Sequence, residues 1–503
     1  MDVLGSLSLG FHVALMPSNL LFCLVGVIIG TLVGVLPGIG PVGAMALLLP
    51  VTYGTSLTSS LILLAGIYYG AMYGGSTTSI LVNIPGEAAS VVTCIDGYQM
   101  ARKGRAGAAL GISAIGSWVG GTLSVIGLML VAKPLATAAL SFGPPEYFAL
   151  MAMGLVILTY LTQGSIVKSL MMALVGILIG SVGLDMIVGI PRFTFGIGEL
   201  SDGVGIIPVV MGLFGIAEVF SNLERVIRRQ IIETEIRHIW PTLKDYAQVK
   251  WAMLRGTVLG FVLGVLPGGG AIIASFLSYG IEKKLSKEPE RFGQGAIEGV
   301  AGPETANNAA AGGALIPLLS LGIPPNVVMA MLFSAMVIHG MQPGPLLMKT
   351  TPDLFWGLVA SMYVGNVLLV LLNLPLIGVW VQLLRIPYRI LMPIILLFCL
   401  IGAYSLNNST FDVSVMVLFG GMGYLMRKFG YEAAPLVLAF IMGPLLENSL
   451  RQSLLMSDGG FTIFVSRPIS AVGLTIAFLL LLSNLIPFFK KRRSKVEEIL
   501  KEE

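Results

Sequence analysis

The sequence predicts an all-α polytopic membrane protein built from two inverted repeats, with one extra transmembrane helix at the C-terminus. Charged residues form only 11% of the 503-residue chain, against about 25% in soluble domains, and the mean hydropathy is +0.90. The 63 glycines among 503 residues are a share nearly twice the usual one of about 7%, and they lie inside apolar segments. A glycine-proline motif also recurs 230 positions later. A chain so poor in charge cannot cover a globular surface, so membrane lipid must be its main solvent.

The basic residues define the expected topology. The first Lys or Arg is Arg102, so we expect a periplasmic N-terminus. Later basic residues cluster at 102–105, 223–255, 283–291, 385–389, 427–428 and 490–495, and the positive-inside rule places these clusters in the cytoplasm. Spans are expected near 106–132, 146–161, 164–183, 203–220, 355–380, 386–405, 412–426, 432–445 and 469–489. The first four carry the chain from the cytoplasmic cluster at 102–105 back to the cytoplasmic cluster at 223–255. The later spans likewise bring the clusters at 385–389, 427–428 and 490–495 to the cytoplasmic side. Trp356 and Trp380 bracket one run, which predicts a single span with a ring at each interface.

An internal repeat divides the chain into two halves. Residues 34–40, GVLPGIG, recur at 264–270 as GVLPGGG. At the same offset, glycines at four-residue spacing match in the two halves, and such a ridge lets another helix backbone approach closely. A weaker match relates residues 84–86 to residues 323–325.

The charges predict that the halves are inverted. The basic loop 102–105 corresponds to 341–344, which has no Lys or Arg, and basic 283–291 corresponds to 53–61, which also has none. Equivalent loops are therefore expected on opposite sides, as in secondary transporters that work by alternating access. Parallel repeats, or chance similarity of glycine-rich helices, are the alternatives. The predicted units are the first repeat (1–221), a cytoplasmic amphipathic linker (222–251), the second repeat (252–450), a periplasmic loop with the final transmembrane helix (451–489), and a cytoplasmic basic tail (490–503).

Four expected helix interruptions locate the candidate site, because broken backbone in a membrane must be buried in protein or line a cavity. Two are predicted helical hairpins at 36–40 and 266–270. The other two are polar segments, 73–79 leading to 83–86 and 302–313 leading to 322–326. Half-helix N-termini and hydroxyls there would bind a carboxylate. Helix packing by small residues and a structural amide ladder are the alternatives. The candidate substrate-binding residues are Gly74, Gly75, Ser76, Thr77, Thr78, Ser79, Asn83, Thr305, Asn307, Asn308, Gly312 and Gly313.

The charge balance of these segments predicts a coupled cation. They contain no Lys or Arg, so an anionic substrate would need helix dipoles together with co-transported Na⁺ or H⁺; no other cofactor is expected. Glu304 is the fixed acid within the second polar segment, and it would bind the cation, carry the proton or cap a helix starting at Thr305. Glu87 and Asp96 are expected nearer an interface. The candidate hairpin breaks and cation-binding residues are Pro37, Gly38, Gly40, Pro267, Gly268, Gly270 and Glu304.

Several other functions lack sequence support. The three cysteines and three histidines are scattered, so they form no disulfide framework, CxxC site or HExxH motif, and GxSxG does not occur. The GxGxxG match at 38–43 follows a helix rather than a strand, so it is not a dinucleotide site. The broken segments hold no nucleophile-base pair. An enzyme, including an intramembrane enzyme, is therefore not expected, and neither is nucleic-acid binding.

Three motifs resemble one known family. They are GxxxGxxPGxG at 30–40, YGGSTTSILVNIPGE at 73–87 with DGYQMARKG at 96–104, and GPETANNAAAGGALIPLLSLGIP at 302–324. With these motifs the chain resembles the large permease subunit of the tripartite tricarboxylate transporters over essentially its whole length. The resemblance implies a multi-pass protein of the bacterial inner membrane that imports tricarboxylates and other organic carboxylates by cation symport. It also implies two partners, a small four-span membrane subunit and a periplasmic solute-binding protein.

The architecture looks like that of elevator-type carriers, by analogy. A single-component secondary organic-anion carrier and an anion channel remain alternatives. Accumulation of substrate against a gradient separates a carrier from a channel, because a channel cannot achieve it.

If the halves are inverted, cysteines at positions 55 and 286 lie on opposite sides of the membrane. Thr55→Cys and Ser286→Cys, made separately in a cysteine-free background, should react with a membrane-impermeant thiol reagent from opposite faces of oriented vesicles. Labelling of both positions from the same face would contradict the inverted arrangement.

Overall fold

The prediction of an all-α membrane protein is confirmed. The computed structural model describes residues 3–36, 40–161, 165–185, 187–224, 239–268, 270–383 and 388–483. These residues are helical apart from connecting loops and one antiparallel pair of two-residue strands, β1 (Gly183–Leu184) and β2 (Pro191–Arg192). Pro37, Gly38, much of the predicted linker and the tail 490–503 lie outside the described residues.

The first half contains ten helices in the described part of the chain. Two π-helical segments, Ala101–Arg105 and Met211–Ile216, join α5 to α6 and α9 to α10, and short 3-10 turns occur at Ala88–Ser90 and Gly198–Leu200. The helices are α1 (Val3–Ala14), α2 (Pro17–Val35), α3 (Gly40–Thr52), α4 (Leu57–Val82), α5 (Val91–Met100), α6 (Ala106–Ala139), α7 (Pro144–Leu161), α8 (Ile166–Gly180), α9 (Ile206–Val210) and α10 (Ala217–Glu224).

The remaining described helices follow the linker, with a 3-10 turn at Pro289–Arg291. They are α11 (Leu243–Val265), α12 (Gly270–Leu285), α13 (Glu298–Leu321), α14 (Val327–Ile338), α15 (Leu347–Thr350), α16 (Pro352–Asn373), α17 (Ile377–Leu383), α18 (Tyr388–Asn407), α19 (Thr410–Lys428), α20 (Ala433–Met456), α21 (Ile463–Ser466) and α22 (Pro468–Ser483). Seven described helical segments are long and apolar enough to cross a membrane, namely Pro17–Val35, Leu57–Val82, Ala88–Ala139, Ile206–Glu224, Pro352–Asn373, Ile390–Asn407 and Ala433–Met456.

Corresponding helices of the two halves end at matching positions. The ends of α2 and α11, and the starts of α3 and α12, are 230 positions apart, and the ends of α4 and α13 are 239 apart. These are the two offsets of the sequence repeat. The orientation of one half relative to the other in the membrane stays a prediction.

The predicted glycine ridges are confirmed as sites of close helix contact. A Cβ on Gly260 of α11 would lie 2.0 Å from the carbonyl oxygen of Ala306 in α13, and a Cβ on Gly30 of α2 would lie 2.5 Å from that of Ile67 in α4. The other ridge glycines, Gly26, Gly34, Gly256 and Gly264, make similar backbone contacts. Glycine therefore brings α2 against α4 and α11 against α13, which helps to bury the two polar helices α4 and α13.

The helix α11 begins inside the predicted linker. Thr242 caps it, because the Thr242 hydroxyl accepts a hydrogen bond from the backbone N–H of Asp245 and the Asp245 carboxylate accepts one from that of Thr242. This reciprocal arrangement is a capping box. Arg255 then pairs with Glu282 of α12 at 2.5 Å, so α11 and α12 form a helical hairpin whose open end carries an ion pair.

The prediction that one continuous helix runs from Trp356 to Trp380 is wrong. The helix α16 ends at Asn373, and three residues separate it from α17, which begins at Ile377. Pro375 has no N–H to continue the helix, and its ring clashes with the carbonyl group four residues earlier. The Trp380 indole donates to the Leu372 carbonyl at 3.0 Å, and both tryptophans are buried. The rings therefore pack inside the protein.

Ion pairs connect the ends of helices from different parts of the chain. Arg105 pairs with Asp245 at 2.7 Å, which joins two of the basic clusters predicted to be cytoplasmic. Elsewhere Arg451 pairs with Asp185 at 2.7 Å and attaches the loop containing β1 and β2 to α20. The hydrogen bond that Arg451 donates holds the pKa of the Asp185 carboxyl well below its usual range.

A side chain at Gly260 should separate α11 from α13. Gly260→Ala is expected to lower the free energy of unfolding by about 1–3 kcal/mol, the usual cost of overpacking. Gly280→Ala is the control, because Gly280 lies in α12 with open space around it, and it should instead raise stability by about 0.5–1 kcal/mol. Thermal unfolding of the purified variants measures both effects. Equal stabilities would contradict the close contact.

Candidate functional site

The polar stretches 73–79 and 302–313 lie within continuous helices, so the prediction that the helices break there is wrong. The helices do end in the segments 83–86 and 322–326, to which those stretches lead. Residues 73–79 belong to α4, and residues 302–313 belong to α13. An unbroken helix satisfies its backbone groups internally where no water is present. Even Pro303 and Pro317 lie inside α13. The candidate site is therefore made by side chains projecting between helices, and Glu304 does not cap a helix.

The interruptions come at the ends of α4 and α13. Asn83 and Gly322 adopt left-handed backbone, with φ values of 55° and 73°, and prolines follow them within three residues. Such residues end helices, because left-handed backbone closes the last turn and proline cannot continue it. Glu87 and Asn326 then cap the next helical segments by accepting backbone N–H bonds at 2.7 Å and 2.9 Å.

The end of α2 and the connection after α11 each contact the interruption in their own half. The N–H of Gly268, in the connection between α11 and α12, donates to the Pro325 carbonyl at 2.9 Å. In the first half, a Cβ on Gly86 would lie 2.0 Å from the carbonyl oxygen of Gly34, near the end of α2. The predicted interruptions after α2 and α11 are thus present, and they pack against the interruptions that follow α4 and α13.

Glu304 lies at the centre of a cluster of hydroxyl groups from three other helices. Its Oε2 accepts a hydrogen bond from Ser76 of α4 at 2.5 Å and a longer one from Ser117 of α6 at 3.4 Å. Thr93 of α5 donates to its Oε1. All four side chains are buried, and Glu304 has an exposure of 0%. We call this group the Glu304 cluster; it joins residues from both halves.

No positively charged side chain in the described part of the chain pairs with Glu304. A carboxylate removed from water costs a large free energy unless another charge or a proton offsets it. Hydroxyl donors lower that cost but do not cancel the charge. The cluster can therefore hold either a proton on Glu304 or a cation near it.

Asn307 and Asn308 extend the cluster along α13. Asn308 Nδ2 donates to the Glu304 backbone carbonyl at 3.1 Å and to Asn307 Oδ1 at 2.5 Å. Asn308 Oδ1 and Asn307 Nδ2 are buried and have no hydrogen-bond partner among the described residues. Buried polar groups normally have partners. The Asn307 amide lies beside the Glu304 carboxyl, so Asn308 Oδ1 is the atom left for a ligand.

Most of the other predicted site residues have structural contacts instead. The hydroxyls of Thr78 and Ser79 donate to the Gly75 carbonyl, and the hydroxyl of Thr305 donates to that of Ala301. Thr77 is buried without such a bond among the described residues. Asn83 is exposed at the end of α4.

The site glycines are packing positions. A Cβ on any of them would meet another part of the protein at 2.1 to 2.9 Å. Gly74 faces α2, Gly75 faces Glu87, Gly312 faces Ser124 and Gly313 faces Phe261. Gly40 and Gly270 begin α3 and α12, and Pro267 precedes Gly268 in the hairpin connection.

Sequence analysis missed Thr93 and Ser117. Each has no polar residue directly beside it in the sequence, so neither belongs to a continuous polar motif. Their role depends on α5 and α6 packing against α13, which local sequence does not specify.

Asp96 fastens α5 to the start of α13. Its Oδ1 accepts backbone N–H bonds from Gly293 at 2.9 Å, Gly295 at 2.6 Å and Ala296 at 2.8 Å. Asp96 has an exposure of 0%, so it is buried within the protein, and its distance from the membrane interface stays a prediction. Because Thr93 lies three residues earlier, α5 directs both contacts toward α13 from one face.

A cavity of about 10 Å³ lies between α4, α6, α13, α14 and α16. Its polar lining comes from Tyr68, Tyr69, Asn308 and Asn366, and a cavity of this size holds about one water molecule. An organic acid with several carboxylates is much larger. The helices around this cavity and the Glu304 cluster must therefore move apart before such a molecule can reach them.

Comparison with known proteins identifies related chains. A family model described as the tripartite tricarboxylate transporter TctA family matches residues 20–438. An uncharacterised 52.8 kDa protein of the TAR-I ttuC' 3' region of Agrobacterium vitis is 51% identical over 496 residues, which cover 99% of each chain. A protein of the TAR-II ttuC' 3' region of the same organism is 52% identical over 237 residues, 47% of this chain and 98% of its own. No solved structure matches the chain.

Proposed function

The chain belongs to the tripartite tricarboxylate transporter TctA family, and we propose that it imports organic carboxylates across the bacterial inner membrane together with Na⁺ or H⁺. It is a multi-pass membrane protein of a transporter family. In the proposed system it is the large permease subunit, and a periplasmic solute-binding protein and a small four-span membrane subunit are its partners.

The Glu304 cluster is the observation that supports cation coupling. A fully buried carboxylate without a positively charged partner in the described chain requires a proton or a cation. Intramembrane acids of this kind are often functional. If a cation or proton enters with each anionic substrate, the net charge that crosses the membrane interior is reduced, and the ion gradient supplies energy for accumulation.

The position of the cluster also supports alternating access. Glu304 belongs to α13, whereas its three donors belong to α4, α5 and α6. Opening the cluster to either side requires movement between these helices. In the proposed cycle, the two hairpins and the interruptions that they contact surround the substrate, and the inverted halves give outward-open and inward-open forms of similar structure. An elevator-like movement of this core is part of the proposal.

Neutralising Glu304 should stop coupled uptake. Glu304→Gln keeps the shape of the side chain but removes its charge, and Ser76→Ala removes one donor. We expect Ser76→Ala to lower uptake about tenfold or more, the effect of losing one hydrogen bond of about 1.5–3 kcal/mol to a charged group, and Glu304→Gln to abolish it. Uptake of radiolabelled tricarboxylates by intact cells, normalised to the amount of protein in the membrane, measures the effect.

The matched control is Ser60→Ala. Ser60 is also a buried serine of α4, but its hydroxyl bonds near the start of the helix, to the carbonyls of Thr52 and Ser56 and to Thr55. Uptake should be retained in this variant. Normal uptake in both Glu304→Gln and Ser76→Ala would remove the Glu304 cluster from the transport mechanism.

Removal of the periplasmic binding protein should stop uptake if the tripartite proposal is correct. Cells lacking that partner but containing this chain are expected to take up no tricarboxylate above background, and returning the partner should restore uptake. Continued accumulation by this chain alone would instead favour a single-component organic-anion carrier.

A further inference from the structure

We propose that the loop between α8 and α9 is an anchor at the membrane interface, where its two phenylalanines, Phe193 and Phe195, contact lipid acyl chains. This loop, residues 181–205, contains β1 and β2, and we call it the β-loop. The order of the predicted spans assigns it to the periplasmic side. The proposal goes beyond the proposed function, because it concerns neither the substrate, the coupling ion nor the Glu304 cluster.

The β-loop exposes many large apolar side chains. Six of them are at least 45% exposed, and Phe195 reaches 85%. They are Leu184, Ile187, Val188, Ile190, Phe193 and Phe195. The two charged residues between them, Asp185 and Arg192, are engaged in ion pairs. Such a concentration of exposed apolar side chains marks contact with a membrane or with another protein.

The backbone at the two phenylalanines is strained. Phe193 and Phe195 have φ values of 53° and 49°, in the left-handed region that bulky residues rarely adopt. Strain of this kind persists where the surrounding structure enforces it, and it is concentrated at functional sites. Neither ring fills a core, because the two residues are 54% and 85% exposed. The rings are therefore placed for a contact outside the described chain.

Ion pairs hold the β-loop beside the last turns of α20. Arg192 pairs with Glu447 at 2.9 Å, and Asp185 pairs with Arg451 at 2.7 Å. Glu447 and Arg451 lie nine and five residues before the end of α20 at Met456, which is about 14 Å and 8 Å along the helix axis. Since α20 is long and apolar enough to cross a membrane, the β-loop lies level with the end of a span rather than beyond it.

The surface of α8 that leads to the β-loop is also apolar and exposed. Val167, Leu174 and Leu178 are 55–67% exposed and have the spacing of a stripe along one helix face. In the predicted span this stripe is the side that meets lipid. It ends six residues before Leu184, the first exposed large apolar residue of the β-loop. Lipid is therefore the occupant that accounts for both surfaces.

The charge distribution also favours lipid over a soluble partner. Interfaces between separate proteins have a polar rim and interfacial hydrogen bonds, whereas the charged side chains of residues 184–195 bond within the β-loop or to α20. Phenylalanine and leucine side chains insert at the boundary between headgroups and acyl chains. Interfacial anchors of this kind set the level and tilt of the attached helices, so the β-loop fixes the level of α8 and α20.

The β-loop satisfies part of its backbone internally, which favours a position next to apolar lipid. Asp185 Oδ1 accepts the N–H groups of Ile187 and Val188 at 2.8 Å and 3.0 Å. The N–H of Asp185 donates to the Ile190 carbonyl at 3.0 Å, and β1 pairs with β2. At the membrane interface, headgroups and water supply partners for the remaining groups.

The test places a polarity-sensitive fluorophore at Ile190, which leaves both phenylalanines intact. The full-length chain carries Ile190→Cys as its single cysteine, with Cys23, Cys94 and Cys399 replaced by alanine, and is reconstituted in phosphatidylcholine–phosphatidylglycerol vesicles. Lipids that carry a nitroxide near the headgroup should quench the label. Iodide present on both sides of the membrane should quench it several-fold less than a label at Glu199→Cys. Glu199 is a charged, exposed residue of the same loop, so it reports a position in water.

Replacing Phe195 should weaken the contact with lipid. Asparagine tolerates left-handed backbone, so Phe195→Asn preserves the conformation of the loop and removes its most exposed apolar side chain. Nitroxide quenching of the Ile190 label should fall, and iodide quenching should rise several-fold. Phe193→Asn is the second variant and should act in the same direction, which keeps the test valid if one variant does not fold.

The matched control is Phe429→Asn. Phe429 is 63% exposed and lies at the other end of α8, where Lys168 donates to its carbonyl. Quenching of the Ile190 label should not change in this variant. An equal change in Phe195→Asn and Phe429→Asn would contradict a specific role of the β-loop.

Two outcomes with the unsubstituted phenylalanines would overturn the anchor. Iodide quenching at Ile190 equal to that at Glu199, without nitroxide quenching, would leave the β-loop as a surface for a soluble partner. Protection of the Ile190 label from both quenchers would instead indicate contact between two copies of the chain. Neither measurement uses substrate uptake, so failure of the anchor and failure of the proposed transport function are distinguishable.

Discussion

The hydrogen-bonded burial of Glu304 is the constraint on which the arrangement of the central helices depends. A carboxylate with no exposure survives only when donors surround it, and here they come from α4, α5 and α6. Those helices reach Glu304 because glycines let backbones approach one another. Gly120 of α6, for example, has no room for a Cβ, which would lie 2.2 Å from the Thr305 carbonyl oxygen. The glycines thus allow the close helix packing that brings the hydroxyl donors to the buried acid.

Composition and spacing were sufficient to predict the class of fold and to select Glu304, which the structure places at the centre of the candidate site. Low charge predicted a membrane protein, four-residue glycine spacing predicted that another helix approaches α2 and α11 closely, and the position of Glu304 in a polar segment marked it as a candidate. Each of these properties is local in sequence. That the approaching helices are α4 and α13 is known from the structure. Ser76, Asn307 and Asn308 were also predicted and lie at or beside Glu304.

The incorrect predictions share a physical cause. Glycine, proline and hydroxyl residues break helices in water, and that behaviour suggested interruptions at 73–79 and 302–313. In a membrane interior, an open backbone group has no water to bind, so the helix continues and the small residues serve packing. Sequence analysis also did not predict the contacts between segments that are distant in the chain. Thr93 and Ser117 contribute through tertiary packing, and Trp380 folds back on Leu372, which no spacing rule specifies.

The two prolines inside α13 have a mechanical consequence. Pro303 and Pro317 each lack the N–H that would bond to the carbonyl four residues earlier, so the helix is less stiff near its first turns and near its end. Glu304, Asn307 and Asn308 lie between these two compliant points. Bending at the two prolines would tilt the segment between them as one unit. It would break few further backbone hydrogen bonds, because the prolines have no N–H to lose. The prolines thus allow α13 to bend at two points while the residues between them keep their arrangement.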